Sequence, residues 1–205
     1  MYDNSIFIVR RCYNVPMDKR EIKTRQAIFS AMADLLADKD FESITVGDIL
    51  ERSNVSRSTF YSHFNKKEDV IKDLCDELFH HVLSPDLKKE SGHDFSGYSI
   101  FEYKHLLTHF LFHVQEDRVL IKGISSGSAG AMFRQVLRGK LEPLMEACVK
   151  SKTIYKEGID EKLQTKLFTE TFIVVLDDWI AKDCQASPIE VADIFHRFSG
   201  DASVQ

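Results

Sequence analysis

The sequence predicts an all-α fold of about nine helices, because nearly every apolar segment repeats at helical spacing. Two further observations agree. Only 4 prolines and 9 glycines occur in 205 residues, too few for a loop-rich all-β design. Hydrophobic residues make up 43% of the chain, enough for a sizeable core and against intrinsic disorder. At roughly 100–200 residues per domain, the length fits one large domain or two small ones.

The first helix is expected over Arg20 to Ala37, where Ile22, Ile28, Phe29, Met32, Leu35 and Leu36 keep one stripe apolar. The stretch Lys39-Asp40-Phe41-Glu42-Ser43 breaks it. Thr45, with Asp48 three residues on, is a cap arrangement for a short second helix ending near Ser53. Asn54-Val55-Ser56 reads as a tight turn, because Asn tolerates a left-handed backbone. Ser56 then caps a third helix through Phe64. A fourth starts near Lys66, with apolar pairs Val70/Ile71, Leu74/Cys75, Leu78/Phe79 and Val82/Leu83, and stops before Pro85.

Residues 84–99 are polar and read as a loop. Helical character returns over Ile100–Glu116. The Gly- and Ser-rich stretch 125–130 reads as a flexible break. A helix from Phe133 to Cys148 follows, and Pro143 should kink it. Leu163 to Ala181 is the most apolar helix. The last runs from Pro188 to Phe198, with Ser187 as cap and Pro188 at the first helical position.

The net charge is -5, from 27 Lys and Arg against 32 Asp and Glu. As an average it argues against a nucleic-acid partner. The average hides a split, however. Residues 1–67 hold 11 basic and 9 acidic residues, net +2, whereas residues 68–205 hold 16 and 23, net -7. Cys12, Cys75, Cys148 and Cys184 form no CxxC pair, which fits reduced thiols in the cytoplasm better than disulfides or a zinc site. No apolar run approaches the roughly 20 residues that span a bilayer. Residues 1–16 place the apolar Ile6–Val9 before Arg10 and Arg11, the reverse of a signal peptide. They read as a disordered or wrongly assigned extension, with Met17 the more natural start.

Helices two and three, Thr45 to Phe64, form a helix–turn–helix candidate: two short helices joined by a turn of three or four residues. Val46, Ile49, Val55, Phe60 and Phe64 can pack inward on the first helix. Arg57, Ser58, Thr59, Tyr61, Ser62 and His63 then point outward. These are donors, acceptors and an aromatic, the types that contact phosphates and base edges. A helix used only for solvation carries Glu and Lys more often. Arg57 can reach a guanine edge or a phosphate. Ser58 and Thr59 are short enough for close approach, and Tyr61 and His63 can hydrogen-bond phosphate oxygens. Thr45 and Ser56 sit at helix starts, another phosphate position. Lys66 and Lys67 open the fourth helix, where its dipole adds to their attraction for phosphate. From spacing alone, a plain helical hairpin of the core is the competing reading.

At these residues the chain resembles the tetracycline-repressor (TetR/AcrR) family of bacterial transcription regulators. The carrying motifs are Thr45-Val46-x-Asp48-Ile49, then Asn54-Val55-Ser56-Arg57-Ser58-Thr59-Phe60-Tyr61-x-His63-Phe64, then Lys67-Glu68-Asp69-Val70. The resemblance covers residues 20–83. Asp178-Trp179-Ile180 and Ser187-Pro188-x-Glu190 resemble the C-terminal domain of one subgroup. The family usually has Gly where this chain has Asn54, and often Gly where it has Ser58. The second departure changes the surface offered to DNA, so operator sequence cannot be borrowed from relatives.

The resemblance implies a ligand-responsive regulator, a repressor rather than an activator, that binds palindromic operator DNA as an Ω-shaped homodimer. Helix three of each subunit enters the major groove, at half-sites roughly 34–36 Å apart or a multiple of that. It implies a helix–turn–helix domain over 17–66 and an effector-binding and dimerisation domain over 67–205. Helix four joins them as the lever. An unidentified small molecule is the effector, and no cofactor is expected.

His105, His109 and His113 lie four apart, and each step of four drifts only about 40° around a helix, so they share one face. Chelation of zinc is one reading of such spacing. No carboxylate or Cys is obviously paired with them, and Phe101 and Phe110 sit beside the row. Partly buried packing, or lining of the effector pocket by Phe101, His105, His109, Phe110, His113 and Phe172, is therefore preferred, with no metal. Phe168, Leu176 and Trp179 form a stripe that is core or dimer interface by pattern. The resemblance assigns it, with Ile194 and Phe198, to the interface. Two further classes compete. A helical enzyme lacks a Ser-x-Gly elbow, a His-Glu-x-x-His and a nucleophile–base pair. A relative acting through protein partners would show a neutralised third helix, whereas Arg57, Tyr61, His63, Lys66 and Lys67 are all present.

Overall fold

The computed structural model describes residues 19–82 and 103–200. The expected extension over 1–16, the loop over 84–99 and Phe101 lie outside the described residues. Nine α-helices occur among the described residues: α1 (Lys19–Asp38), α2 (Val46–Ser53), α3 (Arg57–His63), α4 (Lys67–Val82), α5 (Tyr103–Glu116), α6 (Arg118–Ser125), α7 (Gly127–Lys150), α8 (Glu161–Ala181) and α9 (Pro188–Ser199). A 3₁₀ turn (Phe41–Ser43) stands between α1 and α2. None of these helices is long and apolar enough to cross a membrane.

Two compact units form. Among the described residues the first gathers 19–82 and 116–133, and the second 103–115 and 134–200. The first unit thus reaches beyond residue 66, taking in α4, α6 and the start of α7. Its core is Ile28, Phe29, Met32, Ile44, Ile49, Phe60 and Ile71, all nearly sealed from solvent. Helix α6 packs against α1, burying Leu120, Ile121 and Ile124. The approach is close at Gly123, where a Cβ would stand 2.7 Å from the Leu36 Cβ. A residue larger than Gly there would push the two helices apart.

The flexible break expected over 125–130 is instead a single residue, Ser126, between α6 and α7. Helix α7 starts at Gly127, whose φ of 56° lies in the left-handed region. A Cβ there would meet the Glu42 carboxylate at 2.5 Å. Gly is thus needed twice over at that position, for backbone and for space. Pro143 sits inside α7 without ending it. Both Pro143 and Gly139, whose carbonyl loses its partner, are exposed, so water can satisfy that carbonyl.

In the second unit α8 and α9 pack together around Phe172. Its ring meets Phe110 at 6.1 Å and Phe195 edge-on at 5.3 Å. The 156–160 segment is tied to α8 by Gln164, which accepts from the Lys156 N–H and donates to the Ile159 carbonyl. Trp179 Nε1 donates to the Ala186 carbonyl at 2.9 Å, fixing the link between the last two helices. Ser187 and Glu190 form a reciprocal capping box at the start of α9, with Pro188 in its first turn. Cys75, Cys148 and Cys184 are buried, and burial pushes the Cys148 thiol up to about 11.

Candidate nucleic-acid interface

The short helices α2 and α3 have eight and seven residues, too few to hold helix alone in water. Caps and one buried face hold them. Thr45 accepts from the Asp48 N–H at 3.1 Å, while the Asp48 carboxylate accepts from the Thr45 N–H at 2.7 Å. Lys39 adds an ion pair to the same carboxylate at 2.9 Å. The Thr45 N–H first, and then Lys39, hold Asp48 at about 2, below its ordinary 3.8. At the end of α2, Asn54 takes the left-handed backbone, φ 53° and ψ 34°. The expected turn chemistry is therefore present in detail.

Ser56 caps α3 by accepting from the Thr59 N–H at 3.1 Å. Its hydroxyl also meets Ser58 Oγ at 3.0 Å and Thr59 Oγ1 at 2.7 Å. Phe60 and Phe64 form the buried side of the helix. Their rings lie 5.5 Å apart, and Phe64 lies 6.3 Å from Phe29 of α1. Val46 and Val55 are half-buried beside them. With that side fixed, the opposite side is set.

Arg57, Ser58, Tyr61 and Ser62 are exposed on that opposite side, with Thr45, Ser56 and Lys66 exposed near it. Tyr61 stands edge-on to Phe60 and is 46% exposed, so its ring is braced while its hydroxyl meets solvent. Ser62 Oγ donates to the Thr59 carbonyl at 2.7 Å, and Thr59 is half-buried. His63 is turned partly inward. Its ring leans on Phe64, its side chain is 16% exposed, and Nδ1 stands 4.0 Å from the Glu21 carboxylate.

Lys67 departs from the expected phosphate role. Its ammonium donates to the carbonyls of Phe41 at 2.6 Å, Glu42 at 3.1 Å and Ile44 at 2.7 Å, and lies over the Phe41 ring. An ammonium has three donors, and all three are taken. It ties α4 to the 3₁₀ turn instead of facing outward. The helix start is likewise filled from within, because the Asp69 carboxylate accepts from the Asn65 and Lys66 N–H groups. Lys66 is then the outward cation at this helix start, together with Arg57 on α3.

Other groups that hold the site were not visible in the sequence. Arg25 of α1 pairs with both Asp73 and Glu77 of α4 and leans on Phe29. Burial raises Asp73 against the pull of Arg25. Lys39 and Glu21 join Asp48 and His63 across 9 and 42 positions of chain, a pairing no local pattern signals.

The other expected sites lie in the second unit. His109 and His113 are buried, as are Phe110 and Phe172, and none of the four lines the cavities of about 570 and 430 Å³ found there. His105 lies on the same helix, α5. Phe168, Leu176 and Trp179 face inward as core, whereas Ile194 and Phe198 are 43% and 69% exposed. The expected interface set is thus divided between two environments. Val174 and Ile189 are exposed on these same two helices.

A family-wide sequence model described as "Bacterial regulatory proteins, tetR family" matches residues 28–74, the stretch that holds α2, α3 and the start of α4. The chain is 38% identical over 71 residues to YxbF of Bacillus subtilis (strain 168), an uncharacterized HTH-type transcriptional regulator. That match spans 32% of this chain and only 19% of YxbF. It is 21% identical over 145 residues to the Staphylococcus epidermidis negative transcriptional regulator IcaR, across 71% of this chain and 76% of that one. Its fold is similar to the crystal structure of a TetR transcriptional regulator from Streptococcus agalactiae 2603V, with a TM-score of 0.60 and 27% identity over 89% of this chain and 96% of that one.

Proposed function

We propose that the chain is a regulator of the TetR family, which its residues 28–74 match, and that it is a dimeric, effector-responsive repressor that binds palindromic operator DNA. The observation that carries the reading is the outward side of α3. Arg57, Ser58, Tyr61 and Ser62 are exposed together, on a helix fixed by the Asn54 turn, the Ser56 cap and the buried Phe60–Phe64 face. Arg57 reads a base edge or grips a phosphate, and Ser58 allows close approach to the groove floor. Tyr61 donates to a phosphate oxygen. Lys66 supplies a further backbone contact, while Lys67 holds the scaffold.

A net charge of only +2 over residues 1–67 gives a small sequence-independent term. Affinity then comes from placed contacts doubled by dimerisation. The exposed apolar side chains of α8 and α9, Val174, Ile194 and Phe198 among them, are the surface a second copy would cover. Phe168, Leu176 and Trp179 support that surface from within. An effector in the second unit regulates only if it binds the DNA-competent and incompetent states with different affinity.

A mobility-shift assay with the DNA flanking the gene tests the reading, together with a reporter driven from that DNA. Sequence-preferring binding at low salt is expected, with reporter output rising when the gene is deleted. Absence of any such preference across a library of palindromes would overturn operator binding, and a fall in output on deletion would overturn repression.

A further inference from the structure

The start of α7 and the start of the reading head's α2 are linked through one side chain, Glu42. It lies in the 3₁₀ turn, three residues before Thr45, the cap of α2. Its carboxylate lies against Gly127, the first residue of α7, so closely that a Cβ there would meet Oε1 at 2.5 Å and Oε2 at 3.1 Å. A helix start carries partial positive charge and N–H groups without a partner in the helix, so a carboxylate is stabilising beside it. The turn that carries Glu42 has little freedom of its own. Phe41 and Ile44 are buried, and the Ile44 N–H donates to the Phe41 carbonyl at 3.1 Å. The Lys67 ammonium holds the carbonyls of Phe41, Glu42 and Ile44 together. A shift of Glu42 is therefore passed on to Thr45 instead of being absorbed between them.

The other side of the contact fits as closely. Gly127 has a left-handed backbone, and at Gly123, four residues earlier, α6 touches Leu36 of α1 with no room for a side chain. Helix α7 itself belongs to both units, with 127–133 in the first and 134–150 in the second. Packed elements move as discrete bodies and do not deform continuously. A displacement of α7 along its length thus arrives at its first turn, where the Glu42 carboxylate stands.

We propose that Glu42 is a positioning residue that couples the start of α7 to the Thr45 end of α2. Whatever shifts α7 then changes operator affinity, and operator binding is felt at α7 by the same amount. The effect on operator DNA rests on the proposed function, whereas the coupling of the two helix starts does not.

Amide hydrogen exchange of the full chain, first without DNA, tests the coupling. Glu42→Gln keeps the shape of the side chain and removes its charge. Exchange should quicken about 2–5-fold at Ala129 and Gly130, the size expected for a carboxylate at an exposed helix start. It should quicken at Asp48 and Ile49 of α2 as well, while α9 stays unchanged. Gly127→Ala, which displaces the carboxylate from the opposite side, should quicken the same α2 amides, and the double variant should add little to the larger single effect. If Gly127→Ala does not fold, the Glu42→Gln pattern decides alone. Quickening confined to α7, quickening spread evenly over the chain, or a fully additive double variant would each overturn the proposal. A duplex selected from a random library is then added, and it should slow exchange at Ala129 and Gly130 in the parent but not in Glu42→Gln. A bound duplex that leaves those parent amides unchanged overturns the coupling. Selection of no duplex overturns operator binding instead, and the free-chain exchange still decides the coupling.

Discussion

Helix α3 and helix α9 are both short, and each leaves a row of side chains uncovered, but the rows are of opposite character. On α3 the exposed residues are Arg57, Ser58, Tyr61 and Ser62, and every large apolar residue except Tyr61 is buried. On α9 the exposed row is Ile194 and Phe198, one turn apart on one face. Both helices carry a serine cap and both bury an aromatic, Phe60 in one and Phe195 in the other. What differs is the surface each presents. A polar row with few charges is stable in water and suits a groove of phosphates and base edges. A Phe that is 69% exposed, with the exposed Ile194 one turn before it on the same face, is an apolar patch of the kind that marks protein contact. On the proposed function, the polar row reads DNA and the apolar row pairs two copies.

Breaking the first side of the comparison should have the largest effect. Phe60→Ala removes the buried face of α3 and should cost about 3–5 kcal/mol in the first unit. Chemical denaturation of the intact chain followed by circular dichroism checks this, and operator binding should vanish with it. Phe198→Asp should leave helical content intact but weaken self-association by about 2 kcal/mol or more. Sedimentation would show the shift to monomer, and operator affinity should fall only through loss of pairing. An unchanged oligomer would end the assignment of that row to pairing.

Smaller effects sharpen the reading side. Tyr61→Ala should weaken many operators alike, by roughly 1.5–3 kcal/mol for a hydrogen bond to a charged group. If one base position alone responded, Tyr61 would be a base reader instead. The smallest effect is one of pH. Asp48 is held at about 2 in the fold against an ordinary 3.8. Its contribution to the α2 cap is present above the ordinary value and lost as pH falls toward about 2. The stability gap between the parent and Asp48→Asn should therefore be constant near neutrality and close on acidification through that window, as thermal melts would show.

Much of the reading head was legible because its determinants are local. The Thr45–Asp48 box, the left-handed Asn54 and the Ser56 cap each act within three or four residues, so sequence spacing carries them. The role of Lys67 is not legible locally, because a lysine can lay its stem along the protein and turn its ammonium to carbonyls far away in sequence. Phe41, Glu42 and Ile44 lie 26, 25 and 23 positions back, beyond any periodic signal. The stretch 125–130 looked flexible because its Gly and Ser content resembles a linker. In the fold Gly127 is there for its backbone and for room beside Glu42. Helix α8 is apolar on most sides, so pattern alone could not tell the inward Phe168, Leu176 and Trp179 from the outward Leu163, Leu167 and Val174. Helix α6 and its packing on α1 leave no sequence signal, because eight residues give too short a period, and their partners lie about ninety positions away.

On the proposed function, α3 reads a two-fold symmetric DNA site. Selection of the full chain on a random duplex library, repeated with Arg57→Ala, tests it most directly. The expected result is an inverted repeat whose half-sites are centred roughly 10 base pairs apart or a multiple of that, with information lost symmetrically from both halves in the variant. Enrichment of no motif, or of an asymmetric one unaffected by Arg57→Ala, would contradict it.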